Sequence, residues 1–246
     1  MKAAREGGAN LSHLLAMFDQ VRIINLVDRL DRRREVAKQI DRAGGMAPNI
    51  AFYPAERPTD PGEFPSLGAR GCFESHLNVL RAARDAGAAN VLIIEDDFDF
   101  TAVGLSAAPA MFKALAGEDW AFFYGACQVD TTGRDGLVKL DSTETIVTTP
   151  FVAFNGALLP TLVTFLEDMA RRPAGSPDFG PMHVDGAYAV FRRLHPHFAC
   201  WAAFPQLGRQ RSSLSDITPT ASMLDRLPIT RGLAQGLRRL RNAVGR

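Results

Sequence analysis

The stretch Val91-Leu92-Ile93-Ile94-Glu95-Asp96-Asp97 joins a strongly apolar run to a cluster of negative charge. Four consecutive apolar residues, three of them β-branched, predict a strand that is buried on both faces of a sheet. The three carboxylates that follow lie at its carboxyl end, which is the edge where open α/β sheets bind ligands. A solvated loop or a helix N-cap would also accept acidic residues. Adjacent carboxylates repel one another, however, so the pattern favours a site for a hard divalent ion and a phosphate-bearing ligand.

Alternating strand and helix patterns flank this stretch on both sides. Apolar runs and helical periodicity predict strands at 21–26, 50–53 and 120–124, and helices at 30–43, 69–86 and 108–116. Strands that alternate with helices indicate a mostly parallel central sheet with helices on both faces.

The pattern changes after Gly125. Short Thr- and Val-rich segments at 137–140 and 143–149 predict a small antiparallel addition to the sheet. Helices at 160–171 and 184–194 and a strand at 198–204 are expected to follow. The sequence therefore predicts one α/β domain with an irregular second half.

Composition excludes several classes of protein. The 246 residues are 46% hydrophobic and 22% charged, which is typical of globular proteins. A net charge of +1 gives no reason to expect a nucleic-acid partner. The three cysteines are odd in number and widely spaced, which predicts neither a disulfide framework nor a zinc-binding spacing. With neither a signal-peptide pattern nor a transmembrane-length apolar run, we expect a cytoplasmic protein.

Three segments differ in their patterning. Residues 1–18 are poorly patterned and are expected to be partly disordered, and 19–225 hold the domain. The tail, 226–246, has six arginines and no acid, and its apolar residues fall on one helical face. A basic amphipathic helix suits peripheral attachment to an anionic membrane, here at its inner face. The alternative is a helix packed on the domain with its arginines in solvent.

Polar residues in three other places are candidates for the same site. Asn25-Leu26 ends the first predicted strand and is followed by Arg29 and Arg32, which either belong to a common Asp-Arg-rich helix start or hold a nucleotide's base, ribose or phosphates. His76 is either a hydrogen-bond donor at a site or a satisfied core histidine. Asp185 is either a helix cap or a general base for an acceptor hydroxyl.

Together these segments resemble glycosyltransferase family 25, the lipopolysaccharide-type sugar transferases. The resemblance runs from about residue 21 to residue 217. It is carried by Ile24-Asn25-Leu26 with Asp28-Arg29 and Arg32-Arg33, Gly71-Cys72 with Ser75-His76, Leu92 to Asp97, Val184-Asp185, Pro205-Gln206, and Ser215-Asp216-Ile217. Two places depart from the family: Ala69-Arg70 stand where it often has an acid, and Phe154 to Ala157 only loosely echo its aromatic-glycine segment.

The resemblance implies a GT-A fold and transfer of a sugar from a nucleotide-sugar donor. A UDP-hexose, an inverting reaction and a surface glycan or glycolipid acceptor such as lipopolysaccharide are expected. It also implies Mn²⁺, or Mg²⁺, bound by Asp97 with Glu95. The expected donor-binding residues are Asn25, Leu26, Arg29, Arg32, His76, Glu95 and Asp96, and Asp185 is the expected catalytic base.

Two other interpretations stay open. Asp97-Phe98-Asp99-Phe100-Thr101 spells the D-x-D-x-T of haloacid-dehalogenase-type phosphatases, in which the first Asp is the nucleophile. That motif normally lies on the first strand and needs a second acidic cluster downstream, and neither condition is met. The other interpretation is a non-catalytic module that binds sugar nucleotides or glycans.

Overall fold

The computed structural model describes residues 15–42 and 45–211. Its described part contains the strands β1 (Gln20–Leu26), β2 (Ile50–Ala55), β3 (Asn90–Glu95), β4 (Phe98–Phe100), β5 (Phe122–Gln128), β6 (Gly136–Leu140), β7 (Val147–Asn155), β8 (Cys200–Phe204) and β9 (Gly208–Gln210). Its α-helices are α1 (Leu30–Arg42), α2 (Leu67–Asp85), α3 (Ala102–Leu115), α4 (Leu159–Arg171) and α5 (Val184–Leu194).

Seven strands form a central sheet in the order β2-β1-β3-β7-β5-β8-β6. Pairs β1–β2, β1–β3 and β5–β8 are parallel, whereas β7 is antiparallel to both β3 and β5, and β6 is antiparallel to β8. Five of the seven strands therefore run in one direction. Strands β4 and β9 form a separate antiparallel pair.

Each face of the sheet carries its own apolar layer. Along β3, Val91 and Ile93 belong to one core cluster, and Leu92 and Ile94 belong to the other. Helices α2, α4 and α5 cover the first face, and helices α1 and α3 cover the second. The continuous apolar run of β3 is thus explained, since every one of its side chains enters a core.

The predicted α/β class, a mostly parallel central sheet with helices on both faces and antiparallel strands from the second half, is confirmed at the level of architecture. Helices α1, α2, α4 and α5 and strands β1, β2, β3, β6 and β8 lie where the sequence predicted them, within a few residues.

Three elements differ from the prediction. Helix α3 begins at Ala102 rather than near residue 108, because the Thr101 hydroxyl caps it by accepting from the Gly104 N–H at 3.0 Å. Strand β5 is displaced toward the C-terminus relative to the predicted 120–124. Strand β7 runs on to Asn155 and lies in the middle of the sheet, whereas the sequence predicted a short strand ending at residue 149.

Leu15 and Phe18 are buried in the core, and residues 1–14 of the N-terminal segment lie outside the described residues. The tail at 226–246 and the Ser215-Asp216-Ile217 segment lie outside the described residues. No helix among the described residues is long and apolar enough to cross a membrane.

Candidate active site

Strands β1 and β3 bring the first two polar segments together. The two strands are parallel neighbours, with Ile24 opposite Glu95, so Asn25 comes level with Asp96. The Asn25 side-chain amide donates to Asp96 Oδ2 at 2.6 Å and to the Arg29 carbonyl at 3.2 Å. The predicted meeting of these segments at the carboxyl edge of the sheet is therefore seen in the structure.

Asp96 points into the protein. Its side chain is buried and accepts a hydrogen bond from Arg32 Nη1 at 3.1 Å, in addition to the bond from Asn25. Burial raises the pKa of Asp96, although Asn25 and Arg32 both oppose that shift. The donors Asn25 and Arg32 hold the buried Asp96 carboxylate in place, and this network is well suited to fixing the turn that follows β3.

Asp97 occupies a different environment. Its Oδ2 accepts from Gln210 Nε2 at 3.2 Å and lies 3.9 Å from Arg32 Nη1. Its Oδ1 is buried and has no hydrogen-bond partner among the described residues. Burial, followed by the nearby Glu95 carboxylate, raises the pKa of Asp97 to about 7. A buried oxygen without a donor is costly, and a bound cation would satisfy it.

Glu95 is held by residues from two other elements. Its Oε1 accepts from Thr149 Oγ1 at 3.3 Å and lies 3.5 Å from His76 Nε2. His76 is fully buried on α2, and its Nδ1 is 3.0 Å from the Tyr188 hydroxyl. His76 is therefore placed at the site, with one ring nitrogen directed toward the acidic triplet.

Asp185 reaches the same edge through the start of β7. Its Oδ2 accepts from the Thr148 N–H at 2.9 Å, and its Oδ1 accepts from the Gly186 N–H at 2.8 Å. Thr148 has a φ of 63°, a left-handed conformation that is strained for a β-branched residue. Asp185 thus binds Thr148, and Glu95 binds the next residue of the same strand, Thr149.

Two of the predicted donor-binding residues lie beside this cluster rather than in it. The Arg29 guanidinium donates to both carboxylate oxygens of Asp31, at 3.0 and 2.9 Å, and this bond lowers the pKa of Asp31. Leu26 is half-buried at the end of β1, and its carbonyl accepts from the Arg29 N–H at 2.9 Å. Both residues belong to the turn between β1 and α1.

The structure adds residues that the sequence did not reveal. Thr149, Tyr188, Gln210 and Arg211 all contact the acidic triplet or His76. Arg211 donates to the Asp96 carbonyl from Nη2 at 3.1 Å and to the Asp97 carbonyl from its backbone N–H at 2.7 Å. Arg211 directly follows β9, whose pairing with β4 brings it next to the acidic triplet, and a tertiary contact of this kind is not visible in the sequence.

The second acid of the phosphatase-like motif faces elsewhere. Asp99 lies on β4, where it accepts from Gln39 Nε2 at 3.2 Å and pairs with Arg211 Nε at 3.0 Å. The Thr101 hydroxyl is engaged in capping α3. Two of the three functional groups of that motif are therefore occupied by structural contacts.

Comparison with known proteins finds solved structures that are similar to this chain at low sequence identity. No family model matches the chain, and no curated protein matches its sequence. A solved glycosyltransferase involved in glycosylation of the major capsid of PBCV-1 is 12% identical, with 80% of this chain and 94% of that chain covered and a TM-score of 0.47. The UDP-glucose pyrophosphorylase from Acinetobacter baumanii is 10% identical, with 98% and 90% covered and a TM-score of 0.38.

The nucleoside-diphosphate-sugar pyrophosphorylase from Vibrio cholerae RC9 is 11% identical, with 82% of this chain and 81% of that chain covered and a TM-score of 0.35. Identities and TM-scores this low assign no activity to this chain. Its chemistry has to be argued from its own residues.

Proposed function

We propose that the protein is a metal-dependent glycosyltransferase that moves a sugar from a nucleotide-sugar donor to a hydroxyl group of a glycan. The observation that carries this proposal is the buried Oδ1 of Asp97, which has no hydrogen-bond partner within residues 15–42 and 45–211 and lies beside Glu95 at the carboxyl edge of an α/β sheet. Two carboxylates at such an edge suit a hard divalent cation and the diphosphate that accompanies it.

Asp97 and Glu95 would hold the cation, for which Mn²⁺ or Mg²⁺ is the natural choice with oxygen ligands. When bound, the ion would neutralise the charge that develops on a diphosphate leaving group. The protein supplies the fixed frame for this: Asn25 and Arg32 immobilise Asp96, and Arg211 holds the backbone carbonyls of Asp96 and Asp97.

The donor would lie across the β1 and β3 ends. Leu26 and Arg29, which the Arg29 N–H to Leu26 carbonyl hydrogen bond brings together after β1, would border the nucleotide, and Arg32 would add positive charge there. His76 would act through Glu95, since it is fully buried behind that carboxylate. The family resemblance supports a UDP-hexose as donor and lipopolysaccharide as the kind of acceptor.

Asp185 is the proposed base for the acceptor hydroxyl. Its two carboxylate oxygens each accept one backbone N–H, which fixes the side chain and leaves other lone pairs for a proton. In an inverting displacement, Asp185 would take the proton from a hydroxyl that attacks the donor sugar on the face opposite the leaving group. The strained Thr148 that Asp185 holds supports a functional rather than a purely structural role for this helix start.

The phosphatase alternative has less support, because Asp99 and Thr101 are engaged in structural contacts. The non-catalytic alternative predicts binding of a nucleotide sugar without turnover. A single experiment separates the three.

The experiment is a thermal-shift screen of nucleotide sugars with and without Mn²⁺, followed by turnover measurements on the donor that binds. A ligand that binds only the folded state raises the melting temperature. We expect a Mn²⁺-dependent rise with one UDP-sugar, lost in Asp97→Asn. In Asp185→Asn the rise should persist while turnover falls at least 100-fold, the order expected for removal of a general base.

Three results would contradict the proposal in different ways. A donor-induced shift that is unchanged in Asp97→Asn would remove the metal assignment. Normal turnover in Asp185→Asn would remove the base. Absence of any shift, together with phosphate release from a monoester, would favour the phosphatase.

We also propose that the basic tail, 226–246, binds anionic membrane surfaces and brings the enzyme to a membrane-held acceptor. This proposal is supported by the sequence pattern alone. A chain that ends at Leu227 should bind phosphatidylglycerol-containing vesicles more weakly than the full chain, while neutral vesicles should bind neither. Equal sedimentation of both chains with the anionic vesicles would refute it.

A further inference from the structure

Cys72, His76 and Glu95 form a compact group that the proposed reaction does not use as a unit. One ligand atom from each residue lies within 4.8 Å of the other two. Cys72 and His76 are four residues apart on α2, so they share one face of the helix, and Glu95 ends the strand that this helix packs against. The group therefore combines a thiol, an imidazole and a carboxylate.

The His76 ring gives an independent indication of a ligand. His76 is fully buried, yet its Nε2 has no hydrogen-bond partner among the described residues. That nitrogen is directed toward Glu95 Oε1, 3.5 Å away. Ligand atoms on a tetrahedral zinc ion lie about 3.5 Å from one another, given metal–ligand bonds of about 2.0–2.3 Å. The His76–Glu95 separation already has this length.

The second ring nitrogen is arranged as it is in metal sites. His76 Nδ1 lies 3.0 Å from the buried Tyr188 hydroxyl. If Nδ1 carries the proton and donates it to the Tyr188 oxygen, Nε2 presents a lone pair toward Cys72 and Glu95. A hydrogen bond of this kind on the outer nitrogen fixes the tautomer and orientation of metal-binding histidines.

From this geometry we propose that Cys72, His76 and Glu95 form a binding site for a borderline-soft divalent ion, of which Zn²⁺ is the representative. The thiolate and imidazole select against Mg²⁺ and Mn²⁺, which prefer oxygen ligands. Three protein ligands leave a fourth position for water or a substrate atom, the pattern of zinc sites that act on ligands.

The site differs from the proposed Mn²⁺ or Mg²⁺ position in its ligands but includes Glu95, which both would use. A carboxylate has two oxygens and can contact two cations. The inference goes beyond the proposed function and does not depend on it, because it concerns metal binding by a thiolate and is read from spectra rather than from turnover.

The test uses Co²⁺ as a spectroscopic substitute for Zn²⁺ in the reduced, full-length protein. Thiolate coordination gives an intense sulfur-to-cobalt charge-transfer absorption in the near ultraviolet, which oxygen-only sites lack. We expect one equivalent of Co²⁺ to produce this absorption and one equivalent of Zn²⁺ to abolish it. Cys72→Ser and His76→Gln should each lose the absorption or weaken Co²⁺ binding at least 10-fold.

Two matched variants serve as controls. Cys127→Ser removes a thiol outside the group and should keep the absorption. Asp97→Asn removes the ligand of the proposed Mn²⁺ position and should also keep it, so failure of the glycosyltransferase proposal and failure of this one remain distinguishable.

A second measurement needs no substitution. Alkylation of the native wild-type protein followed by mass spectrometry should show Zn²⁺ protecting Cys72 selectively, with Mg²⁺ giving no protection. The proposal is overturned if wild-type protein shows no charge-transfer absorption, if the absorption survives Cys72→Ser, or if Zn²⁺ leaves the rate of Cys72 alkylation unchanged.

Discussion

The ion pair between Arg32 and Asp96 is a deeply placed charge interaction of the candidate site. The Arg32 and Asp96 side chains are only 10% and 8% exposed, and their closest atoms are 3.1 Å apart. Removing one partner of such a pair leaves the other charge buried without compensation, which usually destabilises a protein by about 3 kcal/mol or more. One acid of the triplet, Asp96, is thus tied to helix α1 by a buried ion pair.

Arg32→Met should therefore lower the free energy of unfolding by about 3 kcal/mol, as measured by urea denaturation. Arg34→Met, on the exposed face of the same helix, is the matched control and should change it by no more than about 0.5 kcal/mol. Adding Asp96→Asn to Arg32→Met should restore part of the loss, because the amide removes the uncompensated charge. If Arg32→Met and Arg34→Met lowered the free energy of unfolding equally, the Arg32–Asp96 pair would not stabilise the fold.

At the scale of elements, the sequence predicted the secondary structure of each segment better than its position in the sheet. Periodicity and the apolar run identified β3 and four of the helices because their side chains repeat with the period of the secondary structure. The central position of β7 was not predictable in this way. Its Thr-rich start suggests an exposed strand, whereas Phe151 to Phe154 are buried between two neighbours that only the complete sheet provides.

Helix α3 packs unusually closely on the chain that leads into β9. A Cβ added at Gly104 would lie 2.3 Å from the Leu207 carbonyl oxygen. Inside a helix, alanine is normally better than glycine by about 1 kcal/mol. Here the close approach should reverse that preference, so Gly104→Ala is expected to destabilise the protein by about 2 kcal/mol.

Gly117→Ala is the matched control for this substitution. Its added Cβ would meet the Ala114 carbonyl oxygen at 3.4 Å, an ordinary contact. Thermal unfolding of both variants tests the comparison. A higher melting temperature for Gly104→Ala than for the wild type would mean that α3 can move away from Leu207 without loss.

At the scale of the whole molecule, the sequence predicted which polar residues come together better than it predicted the contacts that each of them makes. Asn25, Arg32, His76, Glu95, Asp96, Asp97 and Asp185 do converge on one edge of the sheet. Which acid points inward depends on the β1–β3 register and on Arg32, and neither is visible in the motif itself. The contributions of Thr149, Gln210 and Arg211 need tertiary contacts between distant segments.

Buried thiols should make the fold sensitive to alkaline pH. Burial raises the pKa values of Cys127 and Cys200 from 9.0 to about 12 each. At a pH between about 9 and 12, the two thiols keep their protons in the folded state and release them in the unfolded chain. The free energy of unfolding should therefore fall as the pH rises above about 9, by up to about 1.4 kcal/mol per pH unit for each thiol.

Urea denaturation at several pH values from 7 to 11 measures this dependence. The double variant Cys127→Ala/Cys200→Ala should show a shallower decline than the wild type. Identical slopes in the two proteins would show that the thiols do not titrate differently in the folded and unfolded states.

The central position of β7 also has a consequence for how the protein is made. During synthesis β3 leaves the ribosome roughly sixty residues before its partner strand β7 does. Until β7 is synthesised, the backbone N–H and C=O groups on that edge of β3, a strand with apolar side chains, have no strand to pair with. Unpaired edges of this kind invite association with other chains. A nascent chain that stalls before β7 should therefore need a chaperone to remain soluble, because the strand that closes the middle of the sheet is among the later ones to be synthesised.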